Sequence, residues 1–372
     1  FRRVLFRSTP TPPPEPEPAW RRALARWQDW LRPGHASPGP QKLRLNLALQ
    51  GGGAHGAYTW GVLDALLEHE ALELEGLSGS SAGAVNAVLL ADGWVRAGRA
   101  GARAALAQFW GELGQHLPAS LVRSKGETVR LAPAGRLLAH WAAQFTPAQL
   151  NPFDLNPLRD LLERQIDFER LRRDCPFKLF IGATQVNTGR LRLFREHEIS
   201  AEVLLASACL PKIHHTVHID GEPYWDGGYS ANPAIAPLVY DCATADALLV
   251  LLNPLRRSQT PRSLAEIETR LVELGFGTHF LNEMRHFAQA ARHAHTPPSA
   301  TPGLQRLLQQ RFHLIGGEEL DSLAHSESKL IPHTPFLQHL HQQGRAHAQA
   351  WLRDSAALVG LRSSIDVEAL FG

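Results

Sequence analysis

No stretch of this 372-residue chain approaches the roughly 18 uninterrupted apolar residues of a spanning helix, so no segment reads as one. Neither sign of charge dominates. Thirty-eight Lys and Arg against 36 Asp and Glu leave a net charge of +2, and nothing points to nucleic-acid binding. Cysteine is scarce and odd in number. Cys175, Cys209 and Cys242 sit in apolar surroundings and read as free buried thiols of a reducing compartment, which makes a cytoplasmic location the expectation. The 19 histidines are scattered. His214, His215, His218, His279 and His286 lack accompanying Cys or paired carboxylates at ligand spacing, so no metal is expected. Internal repeats are absent too.

What is present is ordinary for a globular protein with a substantial core: 44% hydrophobic and 20% charged residues. Residues Phe1 to Ser8 resemble translated adapter sequence and are set aside from fold reasoning. Residues 9–18 are proline-rich and read as a linker; Trp20 to Leu31 reads as a short helix, and Pro33 to Pro40 as a second linker. The expected organisation is therefore an N-terminal segment 1–41 that is disordered apart from that helix, a catalytic domain 42–255 and a helical C-terminal extension 256–372 packed on it.

From Lys42 onward, strand patterns (43–49, 72–78, 177–186, 191–194, 247–253) alternate with helical ones (57–68, 82–92, 99–115, 156–172, 200–209). Alternation of this kind predicts an α/β fold, a mainly parallel central sheet with helices on both faces. Ser263 to His293 reads as one long helix, or two broken at Gly275 and Gly277. Ser263 and Glu266 form its capping box, and Leu264, Ile267, Leu271, Leu274, Leu281 and Ala288 its apolar stripe. Residues 116–155 fit the sheet poorly. Their Leu121, Leu131, Leu137, Trp141 and Phe145, among Arg123, Lys125, Arg130 and Arg136, predict either a helical insertion packed on the core or a lid that meets lipid.

Three glycine motifs carry the chemistry. Gly79-Ser80-Ser81-Ala82-Gly83 follows a strand pattern and opens a helix, which holds the Ser81 hydroxyl clear of the backbone at a helix N-terminus. Gly51-Gly52-Gly53-Ala54-His55-Gly56 also lies between strand and helix. Such a loop aims several N–H groups at one spot, suiting an oxyanion or a phosphate. It matches Gly-x-Gly-x-x-Gly as well, with Glu70, Glu73 and Glu75 about where that fingerprint wants its ribose-binding acid, so the loop alone leaves oxyanion hole and dinucleotide cradle open. The third motif is Asp226-Gly227-Gly228, where a carboxylate can be held rigidly or can simply begin a turn.

Together and in this order the three motifs resemble the patatin-like phospholipase family over about residues 43–353. The segments 206–211 (Ala-Ser-Ala-Cys-Leu-Pro) and 156–162 (Asn-Pro-Leu-Arg-Asp-Leu-Leu) add to it, and Ser328-Lys329-Leu330 with Phe336-Leu337 looks like the C-terminal extension of bacterial members. The resemblance implies the three-layer patatin-like fold and a lipid acyl hydrolase of the phospholipase A, lysophospholipase or esterase type. It implies Ser81 as nucleophile and Asp226 as proton acceptor, with no His between them. Gly51, Gly52, Gly53, Ala54 and Gly56 form the oxyanion and substrate-binding loop, with Gly79, Gly83, Gly227 and Gly228 completing the motifs. The partners implied are a fatty-acyl ester lipid and a peripheral membrane contact; no cofactor, metal or nucleic acid is implied. His55 stands where the family usually carries Arg or Lys; backbone donors survive that change, a fixed positive charge does not, and a structural or loop-orienting role is expected for this histidine rather than that of a catalytic base.

Three other readings fit parts of the chain. A Ser-His-Asp esterase would draw its imidazole from His279, His286, His293 or His313. A dinucleotide-binding oxidoreductase leaves the second and third motifs unexplained. A non-catalytic lipid-binding protein leaves a complete motif set without use.

Overall fold

Alternate residues of the central strands enter two different apolar clusters, which is how a sheet covered on both faces must read. In β1 (Leu43–Leu49) Leu45, Leu47 and Leu49 join one cluster and Ala48 the other. In β9 (Asp246–Leu251) Leu248 and Val250 go one way, Ala247, Leu249 and Leu251 the other. The computed structural model describes residues 42–115, 119–125, 128–293 and 301–372, and residues 42–372 group as one compact unit. The expected proline-rich segment and short helix before residue 42 lie outside the described residues.

The remaining strands are β2 (Leu72–Ser80), β3 (Val122–Lys125), β4 (Thr128–Leu131), β5 (Lys178–Gln185), β6 (Leu191–Phe194), β7 (Val217–Ile219), β8 (Glu222–Asp226) and β10 (Arg311–Gly316). The main sheet has the order β10-β9-β1-β2-β5-β8-β7, with β6 also on β5. β10, β9, β1, β2 and β5 run parallel, whereas β6, β7 and β8 are antiparallel to their neighbours. The fold is the expected mostly parallel α/β sheet with helices around it. Strand β10 lies in the segment expected to be helical. Its buried Phe312 and Ile315 extend the sheet beyond β9.

On one face lie α1 (Gly56–Leu67) and α2 (Ala82–Leu113). The latter joins the two expected helices across non-helical Ala97 and Gly98. The helix α3 (Pro133–Ala142) and the hairpin β3–β4 form an annex whose Val129 is buried in the main apolar cluster. On the other face lies α4 (Leu264–His293), unbroken at Gly275 and Gly277. Its capping box is present, Ser263 N–H donating to Glu266 at 3.0 Å and Glu266 N–H to Ser263 Oγ at 3.3 Å. The first-face cluster is closed by α5 (Thr334–Asp354), which is tied to α1 where His341 and Arg345 meet Asp64.

Two apolar stripes do not face the core. In α3 and the residues after it Leu137, Leu138, Trp141, Leu150, Phe153 and Leu155 are exposed, Phe153 at 84%. The reading of 116–155 as an insertion packing its apolar face on the core therefore fails for this part, and the segment contains a hairpin as well as helices. In α4 only the C-terminal half buries its stripe (Phe280, Met284, Phe287, Ala288); Leu264, Ile267, Leu271 and Leu274 are exposed.

Candidate active site

β2 ends at Ser80, and the chain turns sharply at Ser81 (φ 54°, ψ −126°) before α2 begins. A left-handed serine is a strained conformation, and it persists because its surroundings fix it. Ser81 N–H donates to Ser207 Oγ (3.0 Å) and to Ser207 O (3.1 Å), on a fully buried residue. Ser80 Oγ donates to Ala231 O at 2.6 Å. Gly83 is required on the far side of the turn, since a Cβ there would run into the Leu49 carbonyl. Gly79 packs as closely on the Gly83 backbone.

The acid arrives by strand pairing. β5 pairs with β2 as far as Gly182↔Ser80 and with β8 from Ala183↔Asp226 onward. Because β6 occupies the opposite edge of β5 along 181–184, β2 and β8 share one edge and meet end to end. The serine turn and Asp226 are thereby forced together. Asp226 N–H donates to Cys209 O and Thr184 Oγ1 donates to Asp226 O, both at 2.8 Å. Its buried carboxylate accepts from Gly228 N–H at 2.7 Å, and the Ser81 side chain lies close enough to act on its pKa. Burial pushes the Asp226 carboxyl up to about 7, while the hydrogen bonds from Gly228 and Ser81 pull the other way. Phe276 of α4 seats on Gly228, and Tyr229 stacks on Phe276 at 4.6 Å, so aromatic rings screen this carboxylate. Gly227 packs against the Gly182 carbonyl.

The glycine loop crosses from the end of β1 to α1. Gly51 N–H is already used, donating to Asn232 Oδ1 at 2.7 Å. Gln50 anchors the loop's origin, accepting from Leu252 N–H (2.7 Å) and Asn253 N–H (2.8 Å). Gly53 (φ 57°) lies so close to the Lys329 carbonyl that a Cβ would collide with it. The first hydrogen bond of the turn runs from His55 N–H to Gly52 O, so the preceding N–H groups of Gly53 and Ala54 find no acceptor within the turn. Gly56 is a packing residue, set against Ala82 and Trp110, with its carbonyl accepting from Asn86 at 3.0 Å.

His55 is fully buried. Ser328 Oγ donates to His325 O at 2.7 Å, so at 2.8 Å it accepts from His55 Nε2–H. Burial, with Lys329 and His325 nearby, holds the imidazole well below its usual pKa and therefore neutral. The loop-orienting part expected of His55 corresponds to this contact: it clamps the C-terminal segment to the loop.

Ser81, Asp226 and the loop residues Gly51–Ala54 line one cavity of about 530 Å³, whose inner wall is Val85, Phe109, Trp110 and Leu113. Three of the histidines offered for a triad are elsewhere, and the side chain of His293 lies outside the described residues. His313 points at Asp246 (3.1 Å), and His279 and His286 are exposed helix residues outside the cavity lining. The acids offered for a ribose lie at the wrong end of the sheet. Glu73 pairs in register with Arg44 near the start of β1, whereas the loop follows Leu49↔Gly79 at the other end. Among the described residues no group of three or more His, Cys, Asp or Glu could hold a metal, and no helix is long and apolar enough to cross a membrane. The cysteines are unpaired, Cys209 and Cys242 buried and Cys175 half-buried.

Sequence reasoning missed the supports, namely Ser207, Asn232 and Gln50. All three lie within or beside quoted motifs, yet nothing in a polar residue next to a glycine string announces which backbone N–H it will hold.

A mostly parallel sheet that brings a strained serine at the end of β2 beside a buried acid at the end of antiparallel β8 is the architecture of an α/β enzyme with its site at the strand ends. The family described as patatin-like phospholipase matches residues 47–239, spanning all three motifs. The chain belongs to the patatin-like phospholipase family, which makes it a lipid acyl hydrolase. No curated protein matches it. Among solved structures it is similar to VipD from Legionella pneumophila, at 15% identity over 84% of this chain and 67% of that one, with a TM-score of 0.36.

Proposed function

We propose that the protein hydrolyses the carboxylic ester of an acyl lipid with Ser81 as nucleophile and Asp226 as its general base. The reading rests on one observation: Ser81, on a left-handed turn, stands beside a buried carboxylate whose pKa is pushed up to about 7. A base poised there is half ionised near neutrality and can both take and return a proton. Ser81 Oγ attacks the ester carbonyl while Asp226 takes the hydroxyl proton. Loop N–H groups of Gly52, Gly53 and Ala54 receive the oxyanion. Collapse expels the alcohol, which takes the proton from Asp226, and leaves acyl-Ser81. Water, deprotonated by Asp226, attacks the acyl-enzyme, and Ser81 Oγ leaves with that proton returned from Asp226, releasing the fatty acid.

The same reading includes a peripheral membrane contact. Exposed Leu264 and Leu271 lie on α4, whose Val272 and Phe276 line the cavity, and Leu137, Trp141 and Phe153 are exposed in a second segment. Exposed apolar surface at a site mouth fits a lipid interface. The test is hydrolysis of a medium-chain p-nitrophenyl ester by wild type, Ser81→Ala and Asp226→Asn. The reading requires activity in the first and its near-complete loss in both variants with unchanged circular dichroism; a Ser81→Ala protein that keeps its rate would refute it.

A further inference from the structure

The cavity has a cation that the chemistry above does not use. Lys329 lines it beside Gly53, whose backbone packs on the Lys329 carbonyl. Three ties fix its position. His55 holds the preceding residue Ser328, Gly53 holds its carbonyl, and its Nζ donates to Asn253 Oδ1 at 2.9 Å. Asn253 N–H in turn donates to Gln50, next to the glycine loop.

This corner is rich in donors and poor in acceptors. Among the described residues no carboxylate stands within 4.0 Å of Lys329 Nζ, as an ion pair would require. Lysine can only donate, so the bond to Oδ1 fixes the Asn253 amide orientation, and Asn253 Nδ2 is left with no acceptor. The nearby acids are engaged elsewhere. Glu273 is held by Arg257 and Arg270, and Glu327 accepts from Leu131 N–H at 3.0 Å. Lys212 also lines the cavity but is exposed, so water already solvates it. Lys329 is half-buried. Burial, with Arg257 adding repulsion and Glu273 partly offsetting it, holds its ammonium down at about 8. An ammonium taken from water without a carboxylate costs free energy unless an anion completes it.

Resting on the acyl-hydrolase reading of this site, we infer that Lys329 is its specificity-determining residue for charge: it pairs with an anionic phosphate carried by the acyl substrate, so that a phosphate-bearing lipid is preferred over a neutral ester. The apolar wall of Val85, Phe109, Trp110 and Leu113 would take the acyl chain, and the Lys329 corner, on the loop side, the charged group.

The test uses the full-length protein and decyl phosphate below its micellar concentration, a chain and phosphate with no ester to cleave. Calorimetric titration should show binding weakened about tenfold or more in Lys329→Gln, which loses the charge but can still bond Asn253, and restored in part by Lys329→Arg. Inorganic phosphate should bind far more weakly; equal affinity would mean a free-anion site and would overturn the lipid assignment. In hydrolysis, Lys329→Gln should lose at least about tenfold more kcat/KM on a phosphatidylglycerol than on a neutral p-nitrophenyl ester, the difference falling in KM. Equal losses on both substrates, or unchanged decyl phosphate affinity in a variant whose melting temperature is normal, would overturn the inference. If Lys329→Gln does not fold, the same titration on Lys329→Arg against decyl glucoside decides, since a charge-reading site must still prefer the phosphate. Lys329-dependent binding without any hydrolysis would sink the acyl-hydrolase reading alone, and hydrolysis indifferent to Lys329 would sink this inference alone.

Discussion

Asp226 stands beside Ser81 because β8 takes over the edge of β5 at the residue where β2 leaves it. The same pairing buries the carboxylate, and burial gives it opposite effects on activity and stability. The base must be ionised to act, so kcat/KM should rise with pH through about 7 and level off above it. Asp226→Asn should lower kcat by about 100- to 10,000-fold. Stability runs the other way. The folded pKa is raised above the ordinary 3.8, so between pH 4 and 7 the native state holds a proton that the unfolded state has lost, and stability falls as pH rises through that window. Asp226→Asn removes this cost, and its melting temperature should equal or exceed wild type at pH 8. Thermal melts at pH 5 and 8 with rate profiles on both proteins check the pair of signs.

The opposite slope is expected from His55. Its folded pKa lies well below 6.5, so below that pH the unfolded chain gains a proton the native state refuses, and stability falls on acidification. His55→Gln, which can still donate to Ser328, should flatten the dependence of unfolding free energy on pH between 6.5 and 5. A slope as steep as wild type in denaturant titrations would place that acid sensitivity elsewhere.

Gly53→Ala should separate site from scaffold. A left-handed alanine costs on the order of 1–2 kcal/mol, a modest drop in melting temperature. The larger effect should be on turnover, about 100- to 1000-fold, because the Lys329 carbonyl lies against this position and the loop must shift its donors to relieve the clash. Steady-state kinetics beside a thermal melt measures both.

Much of the sheet was legible: β1 and β6 coincide with the segments expected from the pattern, and β2, β5 and β9 differ by only a few residues, the central β1 and β9 because burial on both faces makes them largely apolar. β8 was not legible. Glu222-Pro223-Tyr224-Trp225-Asp226 carries neither alternation nor an apolar run, yet it places the acid. β10 was hidden because His313 interrupts it, a buried imidazole made tolerable by Asp246. The stripe of α4 was visible, but periodicity reports only that apolar residues share a face, and Leu264, Ile267 and Leu271 turn that face to solvent. The serine, acid and loop positions stood in glycine motifs that the family resemblance singled out; the hydrogen bonds that Ser207 and Asn232 accept and Lys329 donates depend on contacts far apart in the chain.

Membrane contact is tested on the exposed annex. Trp141 is 55% exposed and stacks on Phe145 at 4.8 Å. Trp141→Ala combined with Leu271→Ser should reduce vesicle hydrolysis about tenfold more than hydrolysis of a soluble short-chain ester, the order expected when two large side chains no longer enter lipid. Equal losses on both substrates in paired assays would assign these side chains to folding or chemistry.

The central claim, that Ser81 is acylated with Asp226 as its base, is tested most directly by peptide mass mapping after labelling with a fluorophosphonate. The expected result is a single modified peptide carrying the label on Ser81, no label in Ser81→Ala, and labelling of Asp226→Asn slowed at least about 100-fold. Label on Ser80 or on any other residue, or full-speed labelling of Ser81 in Asp226→Asn, would contradict it.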